Sequence, residues 1–303
     1  MKSNLSRKNI ALLGISVIIF IALLAVYIPL KIYINREESD SPVTGKVSFN
    51  ILITRNLSGA LDQARSGNRN PDRTVELVTS SDNRESLLLI DFIEIVPGIS
   101  AGEERPAGFP TDKLKKIGYR AVAPLILRRD SMKFLSGPLW LFDLPLPLVS
   151  ANIVATKESS NNLRRWLITD IEARADGNSG SREIRIGIFS VSNPDSIRAE
   201  YSRFNHYNLI SPGIAALEAI NRMIKEECHL IIALCDAGTT EILDDLPGID
   251  LILEMGEKNF SRRSKDALTV SFSGEEDGPV NLMVTYSKDS LRAAPGNYEP
   301  GKD

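Results

Sequence analysis

Histidine is scarce in this sequence, since only His206 and His229 occur among 303 residues. Imidazole is the commonest metal ligand in proteins and a frequent general acid or base near neutral pH. His206 lies in a polar stretch and His229 directly precedes an apolar run, so neither is expected at the carboxyl end of a strand. This scarcity excludes a metal centre that needs several imidazoles.

Cysteine is equally rare, and the two thiols do not suit a disulfide. Cys228 and Cys235 flank the apolar run Leu230–Leu234. An extended chain of that length would separate the two residues by about 23 Å, which is far beyond disulfide reach. We expect both to be thiols in the core or at strand ends.

Positive charge is not in excess, because the formal net charge is -3 and lysine and arginine are scattered. This balance argues against a nucleic-acid partner. With 43% hydrophobic and 25% charged residues and no low-complexity tract, the composition is that of a globular domain. A chain of about 250 residues buries a substantial core without disulfides or metals.

A long apolar run is present near the beginning, from Asn9 to Leu30, and it contains no charged residue. Because a helix rises about 1.5 Å per residue, the run is long enough to span a bilayer core of about 30 Å. Lys2, Arg7 and Lys8 precede it, and the positive-inside rule therefore predicts a cytoplasmic N-terminus and a periplasmic or extracellular C-terminal domain. The alternative is a cleaved signal peptide, but no A-x-A-like cleavage site follows the run.

These features divide the chain into five segments and predict a single-pass protein of the inner (plasma) membrane. The linker is rich in serine, proline, glycine and charge, and the C-terminal tail is polar. The segments are a cytoplasmic tail (1–8), a transmembrane signal anchor (9–34), a linker (35–46), a globular domain (47–288) and a flexible tail (289–303).

Runs of β-branched and apolar residues recur through the globular domain and predict strands. Several are apolar on both faces, as is typical of strands buried between layers. The runs are Val47–Thr54, Leu87–Ile95, Leu146–Ile153, Ile184–Val191, Leu230–Cys235, Asp250–Met255, Leu268–Ser273 and Val280–Tyr286.

A helix is predicted between two of these strands, over Ser211–Ile224. Ser211 suits the N-cap and Pro212 the first turn. The helix precedes the strand at Leu230, which makes half of a βαβ crossover, so the class is α/β with mixed sheets. Its apolar stripe, expected to face a sheet, consists of Ile214, Leu217, Ile220, Met223 and Ile224.

Seven short motifs follow one another between Val47 and Tyr286. They are Ile51–Gly59, Leu88–Glu94, Leu114–Val122, Leu148–Asn152, Ile186–Phe189, Leu230–Gly238 and Pro247–Ile252. In this order they resemble the N-terminal metallophosphoesterase domain of the 5'-nucleotidase family, whose motifs read I-L-H-T-N-D-x-H-G, L-L-D-A-G-D, K-x-G-Y-D-A-V, L-x-S-A-N, V-G-I-I-G, D-V-I-I-A-L-S-H-x-G and P-G-I-D-L-I-I-G-G-H-T-H.

The resemblance implies a metallo-dependent phosphatase-like four-layer sandwich, in which two mixed sheets are flanked by helices. It also implies an active site at the strand ends, where two divalent metals activate a water and clamp a phosphate. Such a centre needs several carboxylates, an asparagine and several imidazoles as ligands.

This sequence departs from the family at the positions that carry the chemistry. Asparagine and serine replace the aspartate and histidine of the first motif, glutamate replaces the bridging aspartate of the second, and a leucine replaces the catalytic histidine of G-N-H-E. The closing G-H-T-H falls on Met255–Lys258, without an imidazole. The resemblance therefore implies no catalytic residue, no metal ligand set and no cofactor. The positions of the degenerate site, called here the vestigial positions, are Asn56, Ser58, Asp91, Glu94, Leu127, Asp236 and Glu257.

Two further arrangements of these residues stay open. An all-oxygen site for Mg²⁺ or Ca²⁺ would use Glu94, Asp236, Asp91, Asn56 and Glu257. In the simpler interpretation, which we favour, Asp91 caps a turn, Asp236 is a solvated loop residue, and both glutamates face water.

A cluster of arginines also allows two interpretations. Arg55 and Arg128, with Arg129, would bind an anion where the substrate phosphate of the family sits, or else form a solvated, ion-paired rim. Arg55 would also repel a metal pair, by about 4 kcal/mol per unit charge at 4 Å and an effective dielectric near 20.

The sequence therefore favours a membrane-anchored, catalytically inactive 5'-nucleotidase/metallophosphoesterase-like domain that acts as a binding or scaffolding subunit for a protein partner outside the cytoplasm. The alternative is a divergent metal-dependent phosphoester (nucleotide) hydrolase with a rebuilt oxygen-ligand site. The loss of nearly every ligand, beside an intact core pattern, favours the first.

Overall fold

A single large sheet that turns back on itself makes up most of the described structure. The computed structural model describes residues 45–55, 86–95, 111–126, 144–155, 162–176, 180–192, 207–256, 259–264, 266–273, 279–287 and 290–295. Within these ranges no helix has the length and apolarity needed to cross a membrane. The expected anchor (9–34) and nearly all of the linker lie outside them.

The described part of the chain has more helices and strands than the apolar runs predict. In chain order they are β1 (Val47–Arg55), β2 (Leu87–Ile95), α1 (Thr111–Ile117), β3 (Ala121–Ile126), β4 (Leu148–Val149), β5 (Ile153–Ala155), β6 (Leu163–Arg164), β7 (Leu167–Ala175), β8 (Ser181–Val191), β9 (Tyr207–Leu209), α2 (Pro212–Lys225), β10 (Leu230–Asp236), α3 (Thr240–Asp244), β11 (Leu251–Gly256), β12 (Phe260–Arg263), β13 (Leu268–Ser273), β14 (Val280–Ser287) and β15 (Ser290–Pro295).

Thirteen of the described strands form one hydrogen-bonded sheet with two halves. The first half has the order β12-β13-β11-β10-β8-β7, and the second has the order β15-β14-β1-β2-β3-β4-β6. Strands β8, β10, β11 and β13 run parallel, as do β1, β2, β3, β4 and β6. The mixed α/β class is thus confirmed, but the two sheets that we expected are joined.

The junction is short: β1 and β7 pair only at Val47↔Ala175 and Ser48↔Arg174. The long antiparallel pair β7–β8, from Leu167↔Ile188 to Arg174↔Ser181, then carries the chain into the first half. The two halves can therefore turn to face each other.

The inner faces of the two halves share one apolar core. Ile51 and Ile90 of the second half belong to the same buried cluster as Ile232 of the first. Phe92 and Phe272 meet edge to face with their ring centroids 5.2 Å apart. Burial of one such large side chain stabilises the fold by roughly 1.5–3 kcal/mol, so this contact holds the halves together as a sandwich.

Helix α2 covers the outer face of the first half at β8. A Cβ atom at Gly187 of β8 would lie 2.6 Å from Met223 Sδ and 2.7 Å from its Cγ. Small side chains on the helix permit this close approach, and the buried residues of α2 are Pro212, Ala215, Ala216, Ala219, Ile220 and Met223.

The predicted stripe of α2 is therefore only partly correct. Ile220 and Met223 are buried as expected, but Ile214 is 57% exposed because the alanine face lies against the sheet. The helix begins at Pro212, and Ser211 makes no side-chain capping hydrogen bond.

Strand β15 lies inside the segment that we expected to be a flexible tail (289–303). It pairs with β14 from Ser287↔Ser290 to Leu282↔Pro295. Leu291 is only 6% exposed because it joins the core, so the sheet extends beyond the boundary placed at residue 288.

His229 lies directly before β10, at the amino end of that strand. The Arg185 backbone N–H donates to His229 Nδ1 over 2.9 Å. Nδ1 can accept this hydrogen bond only when it carries no proton, so the bond requires a neutral imidazole. Partial burial, and then the charge of Arg185, lower the pKa of His229. His206 lies outside the described residues.

The lowered pKa of His229 predicts a loss of stability on acidification. The unfolded chain binds the proton more readily than the folded one, so the free energy of unfolding falls as the pH drops through about 6.5 towards the folded pKa. Urea unfolding of the full chain at neutral and mildly acidic pH should show a smaller loss for His229→Gln than for the wild type. His206→Gln is the control, and an unchanged loss in His229→Gln would contradict the assignment.

The contact at Gly187 predicts a second stability effect. Gly187→Ala places a methyl group against Met223 and should destabilise the protein by about 1–3 kcal/mol, as overpacking does. Gly213→Ala is the matched control, since its methyl group would meet Ile242 at 3.6 Å, an ordinary contact. Urea midpoints measured on the full chain would refute the packing argument if the two variants were equally stable.

Candidate functional site

The carboxyl ends of the parallel strands from both halves meet at one edge of the sandwich, called here the carboxyl edge. Asn152 follows β4 of the second half, and Ser192 follows β8 of the first. Asn152 Nδ2 donates to the Ser192 carbonyl over 2.9 Å, and the Ser192 N–H donates to Asn152 Oδ1 over 3.1 Å. Asn152 is the last residue of the motif Leu148–Asn152, and its buried side chain ties the two halves together.

The described residues place three of the predicted site residues at strand ends on this edge. Arg55 ends β1, Glu94 is the penultimate residue of β2, and Asp236 ends β10. The other predicted positions lie outside the described residues, so their roles stay predictions. These are Asn56, Ser58, Leu127, Arg128 and Glu257.

Asp91 is buried within the sheet and does not reach the edge. It lies opposite Thr54 in the parallel register of β1 and β2. The Thr54 hydroxyl donates to Asp91 Oδ2 over 2.5 Å and lies 3.3 Å from the Tyr119 hydroxyl. The carboxylate is thus buried in the sheet and joins two strands, whereas we had expected it to cap a turn.

Asp236 is buried too, which corrects the prediction of a solvated loop residue. Its side chain is 5% exposed. Thr239 Oγ1 donates to Asp236 Oδ1 over 2.6 Å, and the Thr239 N–H donates to the Asp236 carbonyl over 3.0 Å. Thr239 is the N-cap residue of α3, so the carboxylate fixes the turn that leads into that helix.

Glu254 is a second buried carboxylate near this edge, and the sequence motifs did not single it out. It lies on β11 opposite Cys235 and is 4% exposed. Ser271 Oγ donates to Oε1 over 2.9 Å, and Thr240 Oγ1 donates to Oε2. A signal was present in the sequence, because Glu254 is the one charged residue in the run Leu251–Met255.

The side chain of Glu254 fills the space beside Gly256, the last residue of β11. A Cβ atom on Gly256 would lie 2.8 Å from Glu254 Oε1 and 2.7 Å from Ser271 Oγ. The resemblance aligns Gly256 with the first histidine of G-H-T-H. This position therefore has no imidazole, and a side chain there would require Glu254 and Ser271 to move.

Neither cysteine is placed to act as a nucleophile. Burial, opposed by a hydrogen bond between its thiol and the Thr240 hydroxyl, raises the pKa of Cys235 well above its usual range. Burial raises the pKa of Cys228, directly before His229, to about 12. Both thiols are neutral at physiological pH and are free, as expected.

The described residues of the carboxyl edge do not fit a two-metal centre. Within the described ranges no three histidine, cysteine, aspartate or glutamate side chains come together. Asp236 Oδ1 and both carboxylate oxygens of Glu254 accept hydrogen bonds from hydroxyl groups. His229 lies at the other end of β10.

No protein-family model matches the chain, and no curated protein matches it in sequence. Several solved structures are similar in fold. The NAD nucleotidase of Haemophilus influenzae is 13% identical with a TM-score of 0.54, and the match covers 83% of this chain and 55% of that one. A 5'-nucleotidase precursor from Thermus thermophilus is 16% identical with a TM-score of 0.55, over 81% of this chain and 54% of that one.

A third similar structure is the calcineurin-like phosphoesterase YfkN from Bacillus subtilis. It is 18% identical with a TM-score of 0.53, and the match covers 82% of this chain and 89% of that one. The chain thus spans about half the length of the first two structures and most of the third. At these identities the likeness concerns the fold, and the chain has the metallophosphoesterase-like fold of 5'-nucleotidases and calcineurin-like phosphoesterases.

Proposed function

We propose that this protein is a catalytically inactive metallophosphoesterase-like domain that serves as a membrane-anchored binding or scaffolding subunit outside the cytoplasm. The observation that supports this most directly is the filled space at Gly256. A histidine there would collide with Glu254 and Ser271, so the position cannot supply a metal ligand without rearrangement of a buried hydrogen-bond network.

The chemistry of the remaining positions supports the same proposal. A two-metal mechanism lowers the pKa of a bound water only when both metals are held. Loss of even the groups that orient the ligands costs about 10–100-fold in metal affinity or activity. Here the ligand positions themselves have changed, and Leu127 replaces the catalytic histidine with a side chain that cannot transfer a proton.

The proposed location follows from the apolar run Asn9–Leu30 and the positive charges before it. A single span with a cytoplasmic N-terminus would hold the folded unit at the outer face of the inner membrane. A domain that is held there and lacks catalytic groups suits the role of a binding subunit, and its partner would be another protein.

The proposed function predicts that the protein does not catalyse hydrolysis. The full chain, purified in a non-ionic detergent, should hydrolyse neither nucleoside monophosphates, UDP-sugars nor bis-p-nitrophenyl phosphate with Mn²⁺, Zn²⁺, Co²⁺, Mg²⁺ or Ca²⁺. Release of phosphate, sugar phosphate or nitrophenol is the measurement, because a missing ligand set leaves no metal-activated water.

Two isosteric variants make this result interpretable. Glu94→Gln and Asp236→Asn keep the size of each side chain and remove its charge. Metal-dependent turnover that disappears in both would establish the rebuilt oxygen-ligand site of a divergent hydrolase. Turnover that neither variant changes would identify a contaminating enzyme.

The proposed location makes a prediction about membrane topology. An alkaline phosphatase fused after Ser41 should be active, and a cytoplasmic reporter fused at the same point should be silent. The positive charges before Asn9 hold the N-terminus in the cytoplasm, which places Ser41 on the other side of the membrane. The reverse pattern would refute the proposed location. A mature protein that starts near Ile34 would show a cleaved signal peptide instead of an anchor.

A further inference from the structure

Three neighbouring strands of the first half bring Asp170, Arg185 and His229 together on the outer face of the sheet. Asp170 of β7 lies opposite Arg185 in the antiparallel register of β7 and β8. His229 directly precedes β10, and its backbone N–H donates to the Arg185 carbonyl over 2.9 Å. Side chains two residues apart on a strand share a face, so Arg185 is on the side of Gly187, which α2 covers.

Arg185 fixes the turn that joins α2 to β10, residues Glu226–His229, to the sheet. Its carbonyl and its N–H both bond to His229, the N–H over 2.9 Å to Nδ1. Its guanidinium lies 3.4 Å from the Glu226 carbonyl, to which it donates, and 3.1 Å from Asp170 Oδ1. One residue of β8 therefore holds both ends of this turn.

The imidazole of His229 takes the place of a backbone acceptor. In a parallel ladder the N–H and C=O of one residue bond to partner residues two positions apart. If β10 began earlier, the carbonyl of Glu227 would accept from the Arg185 N–H. Instead Glu227 has a φ of 57°, in the left-handed region, and its N–H donates to the Ile224 carbonyl. Nδ1 of His229 thus extends the ladder by one hydrogen bond.

An imidazole differs from a carbonyl in that it titrates. The neutral ring that accepts at Nδ1 carries its proton on Nε2, so a second proton goes to Nδ1 itself. The Arg185 N–H then faces another donor instead of an acceptor. The protonated ring also brings a second positive charge beside the guanidinium, in a place that is partly shielded from water.

The charges around His229 act in both directions. Asp170 and Glu227 favour the protonated ring, whereas burial and the charge of Arg185 disfavour it. The second pair prevails, and the pKa of His229 is lowered. A turn that has left the sheet loses these contacts and binds the proton more readily, so acid favours the open turn.

The other ionisable groups near the turn are already engaged or neutral. Glu226 forms an ion pair with Arg222, one helical turn away. On the β11 side, Asp250 Oδ2 accepts from the Ile231 N–H over 2.8 Å. The Cys228 thiol is neutral at physiological pH. Among these described groups, His229 is therefore the one whose charge changes between neutral and mildly acidic pH.

We propose that His229 is a proton-operated latch, whose protonation releases the turn Glu226–His229 and the last turn of α2 from β8 while the rest of the sheet stays folded. The alanine face of α2 keeps the remainder of the helix on the sheet. The loss of stability predicted above for acidic solution is then concentrated in this turn, as a local opening. The latch is independent of the proposed function.

Hydrogen exchange followed by mass spectrometry tests the latch on the full chain in a non-ionic detergent. Exchange is measured at pH about 7.5 and about 5.5, on either side of the ordinary pKa of histidine, and corrected for the intrinsic pH dependence. Protection of the turn should fall by about fivefold or more at the lower pH, the equivalent of one net hydrogen bond. Peptides that cover β11 and β13 should keep their protection.

Two substitutions separate the proton from the hydrogen bond. His229→Gln retains an acceptor that does not titrate, and His229→Leu has no acceptor. Protection of the turn should be independent of pH in both variants, and His229→Leu should be the less protected at neutral pH. His206→Gln is the control and should respond to pH as the wild type does.

The thiol of Cys228 provides a second measurement within the turn, since it is half-buried and free. Its rate of reaction with dithiodipyridine is compared between the wild type and His229→Gln at each pH, because the ratio cancels the pH dependence of the thiol itself. This ratio should rise on acidification. Cys228→Ser identifies the signal, since Cys235 is buried.

Three results would overturn the inference. The first is unchanged protection of the wild-type turn on acidification, which needs no substitution and so holds even if a variant fails to fold. The second is an equal response to pH in the wild type and in both His229 variants. The third is an equal loss of protection in the turn, β11 and β13, which would show a general loosening of the sheet in place of a latch.

Discussion

The short pairing of β1 with β7 is the constraint on which the rest of the structure depends. Two residue pairs, at Val47 and Ser48, join the halves of the sheet, while the β7–β8 pair continues for eight residues beside them. A wide junction would keep the sheet flat and leave one apolar face of each half in water. A narrow one lets the halves close on each other, and the carboxyl ends of both parallel sets then reach the same edge.

Strands that are apolar on both faces could be predicted from the sequence with little error. The runs Leu87–Ile95 and Leu268–Ser273 match β2 and β13 residue for residue. Strand β7 was not predicted, because it alternates buried with exposed positions and carries Asp170, Glu172 and Arg174. Local periodicity predicted the position of α2 but only part of its buried face. The close approach of the helix to Gly187, on a neighbouring strand, determines which of its residues pack against the sheet.

The candidate site likewise depends partly on local sequence and partly on residues that are distant in sequence. The order of the motifs was enough to place Asp236 and Glu94 at strand ends. Whether a carboxylate faces water depends on residues that only the fold brings close. Glu254 receives its hydroxyl donors from Thr240 and Ser271, which are 14 and 17 residues away in sequence. Motifs alone therefore predict the positions and miss the network that fills the space between them.

The network around Gly256 also bears on the evolutionary history open to such a chain. A histidine restored at Gly256 would meet Glu254 and Ser271, so this change alone disrupts a buried cluster. A small residue at Glu254 alone would leave the hydroxyls of Thr240 and Ser271 without their acceptor and would open a void, which is unfavourable as well. Each of these single substitutions is therefore disfavoured by folding. The residue at position 256 and the residue at position 254 are thus coupled, so a larger side chain at one is accommodated only with a change at the other.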